Sequence, residues 1–560
     1  MKNNKVLLLL ASLATLLLLG IGAWQENVQR EWRRIQRGYR SRLQPAAARA
    51  FPMQLRQIVV PRLGATDRCV SCHVGMAPGE QGIAGDPVFA PHRDVVHDPA
   101  EYGCVVCHGG QGRATDGDEA HGRAPFWPTP MLPKDLSYAG CGACHTHLAV
   151  PSRLLLQRGA ALIERYDCFA CHRLDGRGGT IRPGETAAQA AAAKDLSRSG
   201  AGGYDPAWYG KHLDHARQGE GRWSDAFGPL PASDQEAIRV FLSSLSGAPG
   251  LVESKALFHS LGCRGCHKVG GVGGDDGPDL TREGEKDPGR LDFTHVPGGK
   301  SLPAWIAQHF RAPAVVVPGS AMPTLGLGED AIRLLTFYMM SLRRSDLPEA
   351  YWPKDRILAE RFGEREFAKD GATLFGTFCA ACHGPQGQGM RYPGASAFPA
   401  IGNPDFLAIA SDDFIRNTVR RGRPGRRMPA WGEKEGGLRA GEIEAVSGYV
   451  RRLGGGIVTE PDPLPARWVT ADARGGVSLY AENCASCHGE KGEGKEGTAL
   501  ANPVLLSSAT DTYLVETILR GRRGTAMPAF GASSTVHATI ARREAESIVA
   551  FIRTWEEKQK

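Results

Sequence analysis

The stretch Cys379-Ala380-Ala381-Cys382-His383 decides the reading of this chain. Its Cys-x-x-Cys-His pattern recurs at Cys69-Cys72-His73, Cys104-Cys107-His108, Cys141-Cys144-His145, Cys168-Cys171-His172, Cys263-Cys266-His267 and Cys484-Cys487-His488, and it uses all 14 cysteines. Two thiols three positions apart on one helical turn can each add across a haem vinyl group, and the adjoining imidazole is then placed to ligate the iron. Seven copies predict seven covalent haem c groups, with His73, His108, His145, His172, His267, His383 and His488 as proximal ligands. Structural zinc and disulfides are the alternatives for paired cysteines, and neither calls for the histidine that follows every pair.

A chain of 560 residues predicts several domains. Each haem supplies a large apolar core element, so short segments can fold around one when their protein core alone would be marginal. The 71 glycines and sparse aromatics suit small loop-rich modules of that kind. The formal charge of +7 leaves out two propionates per haem, so it gives no ground for nucleic-acid binding. No G-x-G-x-x-G opening a helix after a strand is visible, and no P-loop.

Val6 to Trp24 is one apolar run, preceded by Lys2 and Lys5. Nearly long enough to span a bilayer, it lacks a good A-x-A-like cleavage site, so a retained anchor over residues 1–24 is expected in preference to a cleaved signal. Covalent haem attachment takes place outside the cytoplasmic membrane, which puts the haem domains on the periplasmic side of a single-pass protein. Arg30, Arg33, Arg34, Arg37, Arg40 and Arg42 follow the span and conflict with the positive-inside tendency. In this basic linker, 25–60, Trp32, Ile35 and Tyr39 recur at helical spacing and predict a helix on the membrane surface, on a membrane partner or simply in solvent.

Three motifs crowd between Cys69 and His145, too little chain for three independent single-haem folds, so residues 61–150 are expected to form one trihaem module. Its irons need distal ligands. The candidates are His92, His97 and His121, each in a loop between motifs, with His147 in reserve and Met76 and Met131 as weaker options. Bis-histidine haems have lower potentials than His/Met haems.

From Leu154 the motifs stand about a hundred residues apart, an internal repeat with expected units 151–250, 251–347, 365–455 and 470–560. Each has a helical approach to its motif, a Gly-rich loop and a closing apolar-periodic helix: Ala237–Leu245, Ala331–Leu342, Glu442–Leu453 and Arg543–Trp555. Pro-rich breaks at Leu347–Pro353 and Pro461–Pro465 mark the later boundaries. "GATLFGTFCAACHGPQGQG" around Cys379 and "GVSLYAENCASCHGEKGEG" around Cys484 resemble single-haem, class I-type cytochrome c domains, with "RRMPAW" and "GTAMPAF" resembling their methionine loops. "GPDLTREG" and "GSAMPTLGL" extend the resemblance to the unit at Cys263, while the unit at Cys168 matches less well. The trihaem stretch loosely resembles multihaem cytochromes of membrane quinol-oxidising complexes.

The resemblance implies a mostly α, loop-rich architecture: an N-terminal transmembrane helix, a trihaem module, then four tandem cytochrome c-like helical domains. It also implies Met322, Met428 and Met527, each followed by proline, as distal ligands of high-potential haems. The unit at Cys168 has no methionine between His172 and Cys263, and Gly228 stands where Met322 would be. His215 is the preferred sixth ligand there, ahead of His212. Arginines before Met428 and Met527 suggest either a docking face for an acidic partner or an intramolecular role with propionates.

These features imply a membrane-anchored heptahaem electron-transfer protein with no catalytic residues of its own. It would relay electrons from a quinol-oxidising membrane subunit to a redox protein or other terminal acceptor. The alternative is a multihaem enzyme reducing nitrite, nitric oxide or peroxide at an open-coordinate haem.

Overall fold

The structure is a computed structural model describing residues 2–93, 95–123, 127–179, 195–202, 207–211, 213, 230–343, 346–393, 397–456 and 462–557. It is mostly helical and loop-rich. The N-terminal helix α1 (Lys2–Trp24) contains a stretch, Asn4–Trp24, long and apolar enough to cross a membrane, and none of it is buried against the rest of the chain.

Helix α2 (Glu31–Arg40) corrects the expectation of a surface helix. Trp32, Gln36 and Tyr39 are buried on the three-motif stretch, Tyr39 sharing a small core with Phe51, Val74 and Phe89. The Gln36 amide donates to the carbonyls of Gln54 (2.8 Å) and Ser71 (2.9 Å), and the Tyr39 hydroxyl donates to that of Gln81 (2.6 Å). The helical spacing of the aromatic residues was visible in sequence. Its partner was not, because the face docks on loops with no periodicity. Strand β1 (Ile58–Val60) then pairs antiparallel with β2 (Ala65–Asp67), so segment 31–60 is continuous with the three-motif module.

The four later units share one construction, in which the helix leading into the motif packs on the closing helix. The pairs are α3 (Arg153–Arg165) with α4 (Ala232–Ser244), α5 (Leu251–Ser260) with α6 (Glu329–Ser341), α8 (Gly371–Phe378) with α9 (Ala440–Leu453), and α10 (Ala473–Asn483) with α11 (Arg542–Glu557). Between the second and third pairs lies α7 (Lys354–Phe362). Three crossings depend on a glycine. A Cβ at Gly159, Gly371 or Gly476 would overlap the carbonyl of Ala237, Ala445 or Ser547 on the facing helix. The second unit has buried Ser254 at the matching position and turns its hydroxyl back to the Leu251 carbonyl (3.0 Å).

The repeat divides into two kinds. In the first two units Asp167 and Gly262 take left-handed conformations just before the motif, a 3-10 turn carries the cysteines, and a two-residue antiparallel hairpin follows at 173–178 and 268–273. In the last two, α8 and α10 run up to the cysteine, and the motif forms a short α-turn closed by a loop in which Gly389 or Gly494 donates to the carbonyl of His383 or His488 (2.7 Å). The Cys168 unit therefore matches the Cys263 unit more closely than its motif suggested. Asp195 accepts from the Ser197 backbone N–H in one as Asp279 does from Thr281 in the other, both at 2.8 Å.

Candidate haem-binding sites

The Nδ1 atoms of His73, His267, His383 and His488 lie 2.7–3.1 Å from the carbonyl oxygens of Val88, Pro278, Pro399 and Thr498. A carbonyl can only accept, so each Nδ1 carries the proton and each Nε2 keeps its lone pair for a metal. Burial pushes the imidazoles of His267, His383 and His488 below their ordinary value, and the neutral ring is the form that binds iron. A Cβ at Gly277 would lie 2.7 Å from the His267 Nδ1, so glycine is required for the ring to sit where it does.

Burial has the opposite effect on the thiols. It pushes Cys263, Cys379 and Cys141 up to about 12, and Cys168 and Cys484 up to about 11. Among the described residues no group of three or more His, Cys, Asp or Glu side chains is placed to hold a metal ion by itself. The donor set fits haem c. In the second unit Trp305 Nε1 and His309 Nδ1 are buried without a partner, on rings stacked at 5.2 Å, and they are suited to donate to a propionate. In the sequence His309 stands out only as the counterpart of His212, through its place in "WIAQHFRAP".

The methionine loops of the last two units are built alike. The backbone N–H of Arg423 donates to the Met428 carbonyl, as Arg522 does to Met527, both at 2.9 Å. Gly422 and Gly521 precede these arginines at φ +60° and +62°, and a Cβ on either would meet the following Met-Pro carbonyl at 2.5 Å. Met322 lies in the shorter loop before α6, its N–H 3.2 Å from Ser320 Oγ, and it borders its unit's core. In the first unit His215, His212 and Gly228 lie outside the described residues.

In the three-motif module every proposed distal histidine faces a motif histidine. His121 faces His73 with ring centres 6.4 Å apart, His92 faces His108 at 6.1 Å, and His97 faces His145 at 6.1 Å. Two imidazoles bonded to one metal at about 2.0 Å each put their ring centres about 6 Å apart. His147, the reserve, is held instead by its backbone N–H, which donates to Asp355 Oδ2 (3.2 Å).

The motifs also touch one another. The second motif packs against Val70 of the first, and a Cβ at Gly262 would lie 2.9 Å from Ala381, so the motif at Cys263 abuts that at Cys379. Asp67, fully buried, accepts from the backbone N–H groups of Cys104 and Val105 and ties the first motif to the second. A Cβ at Gly140 would overlap the Cys107 carbonyl, and one at Gly142 the Ser341 carbonyl, so the third motif fits between the second and the 251–343 unit. The first unit packs on the side of α5, through Leu156 against Val252 and Ala256, and also meets the end of the three-motif module at Leu148 and Val150. The contact between the third motif and the 251–343 unit is direct and does not pass through the Cys168 unit.

Between the last two units the contacts are reciprocal. Asn403 donates to the Arg523 carbonyl (2.8 Å), and its counterpart Asn502 donates to that of Pro424 (3.0 Å), so each unit grips the other's methionine loop. Of the arginines expected to face a partner or a propionate, Arg523 pairs with Asp405 (2.8 Å) and Arg426 donates to the Glu493 carbonyl (3.3 Å) across this joint, and Arg427 pairs with Asp276 of the 251–343 unit (2.7 Å).

The family model for cytochrome c oxidase, cbb3-type, subunit III matches residues 366–450 and 471–552, and that for cytochrome c matches residues 251–343. A cbb3-type cytochrome c oxidase subunit FixP from Bradyrhizobium sp. (strain ORS 278) is 38% identical over 170 residues, covering 29% of this chain and 53% of the relative. A subunit CcoP from Azospirillum sp. (strain B510) is 33% identical over 181 residues, covering 29% and 54%. The chain spans about half the length of the curated relatives it matches. A chain of the Kuenenia stuttgartiensis reducing HAO-like complex aligns at 17% identity over 34% of this chain and 98% of its own, with a TM-score of 0.23, too low to carry an argument.

Proposed function

We propose that this multihaem c-type cytochrome is a membrane-anchored heptahaem relay, carrying electrons from a quinol-oxidising membrane partner to a periplasmic or terminal acceptor. The reading rests on one observation, the line of contacts from Asp67 beside the first motif to Cys104, through Gly140 and Gly142 to Ser341, and from Gly262 to Ala381 and the reciprocal Asn403 and Asn502 joint. Bound haem supplies a one-electron iron couple, with covalent attachment through the paired cysteines. The chain contributes the ligands and the spacing. His73 with His121, His108 with His92 and His145 with His97 form three bis-histidine sets. His267 with Met322, His383 with Met428 and His488 with Met527 form three thioether sets, which favour the reduced iron.

Electrons accordingly enter near the anchor, at the low-potential three-motif module, and leave through the C-terminal pair. That pair is the part similar to cbb3-type oxidase subunits, which supports a terminal acceptor complex as its destination. The haem domains lie on the periplasmic face, where haem is attached. The unit at Cys168 stands beside the main line, with His215 as its proposed sixth ligand. Intact mass spectrometry tests the cofactor load: the full chain should exceed its polypeptide mass by seven haems, and a smaller number would shorten the line.

A further inference from the structure

The segment between the second and third single-haem units, which carries α7, straps back onto the three-motif module and reaches both sides of its third site. On one side Asp355 Oδ1 lies 3.1 Å from His145 Nδ1. On the other, Tyr351 packs edge-on against Tyr102 at 5.5 Å, and Tyr102 against His97 at 4.7 Å. Asp355 is 210 residues from His145 in sequence, and its side chain is largely enclosed, 14% exposed. Its other oxygen is occupied by the His147 backbone N–H, which fixes the carboxylate's orientation.

We infer that Asp355 is a positioning residue that sets the potential of the iron held by His145 and His97, making it more reducing than it would be with a backbone acceptor. The molecule supplies its own comparison, because the motif histidines His73, His267, His383 and His488 all donate to neutral carbonyls. A carboxylate accepts the Nδ1 proton more strongly and raises the basicity of the ligating nitrogen, which stabilises the oxidised iron. The third motif is also the one in contact with the 251–343 unit, so this site controls the step out of the module. A more reducing iron there favours onward transfer. The inference rests on His145 and His97 being ligands.

The test is a spectroelectrochemical titration of full-length, haem-loaded protein carrying Asp355→Asn or Asp355→Glu. Asparagine preserves shape and an acceptor oxygen but removes the charge. One midpoint should rise by a tenfold change in the reduction equilibrium or more, about 59 mV for one electron, while the others hold. Glutamate should keep that midpoint near its original value. An Asp355→Asn protein with unchanged midpoints overturns the inference. So does one in which all midpoints move together, or one that has lost a haem by intact mass, since either outcome makes Asp355 a purely structural strap. The ligand reading fails separately, if His145→Ala leaves the number of low-spin ferric signals unchanged.

Discussion

Glu366 lies among Lys255, Arg264 and His259, all of them buried, with Arg264 only 1% exposed. Lys255 also donates to the carbonyls of Thr146 (3.1 Å) and Leu148 (3.0 Å), and the Glu366 carbonyl accepts from the Val150 N–H (2.6 Å). This one carboxylate therefore joins the end of the three-motif module, the second unit and the start of the third. Burial alone would raise its carboxyl, but Lys255 and Arg264 more than offset that and hold it far below the ordinary range. A depressed folded value contributes stability above the unfolded value, about 4.3 for glutamate, and that contribution is lost as pH falls below it. Glu366→Gln should cost about 3–5 kcal/mol by leaving two buried cations uncompensated. Its denaturation curve should also be flatter with pH below about 4 than that of the unaltered protein. Equal acid sensitivity in denaturant titrations at pH 3 and pH 7 would remove Glu366 as the junction. None of this was legible beforehand, because the charges that meet here are scattered over more than a hundred residues of sequence.

At the scale of elements, the glycines at helix crossings are where sequence pattern and packing agree. The approach and closing helices were readable from apolar periodicity, and the methionine loops from Met-Pro. Gly476→Ala should separate α10 from α11, since its Cβ would overlap the Ser547 carbonyl. The cost should be about 1–3 kcal/mol, the range for overpacking, read as a lowered thermal midpoint of the full chain. An unchanged midpoint would mean that the crossing yields without strain. What periodicity could not deliver was which elements dock on which. The aromatic spacing of helix α2 left a membrane surface, a membrane partner and solvent all open, whereas Gln36 and Tyr39 bind it to the three-motif module. The arginines near Met428 and Met527 left a docking face and an intramolecular role both open because charge in a sequence carries no direction, and two of them, Arg427 and Arg523, find carboxylates in other parts of the chain, Asp276 and Asp405.

At the scale of the whole molecule, motif count and class of fold could be read from the cysteines alone, whereas spatial order could not. The unit at Cys168 comes fourth along the chain and stands beside the line of contacts. The strap at Asp355 and Tyr351 returns to a module that ended two hundred residues earlier. A fragment beginning at Asp67 and ending at Val150 would lack both α2 and this strap, so potentials are meaningful only in the intact chain. The most direct test of the relay is a potentiometric titration of the full-length protein, followed by electron paramagnetic resonance and by the thioether-to-iron absorption band. The expected result is that the three bis-histidine ferric signals of the three-motif module persist down to lower potentials than the band assigned to Met322, Met428 and Met527. The contradicting result is an overlap or inversion of the two groups, which would leave no downhill direction from the membrane anchor to the C-terminal pair.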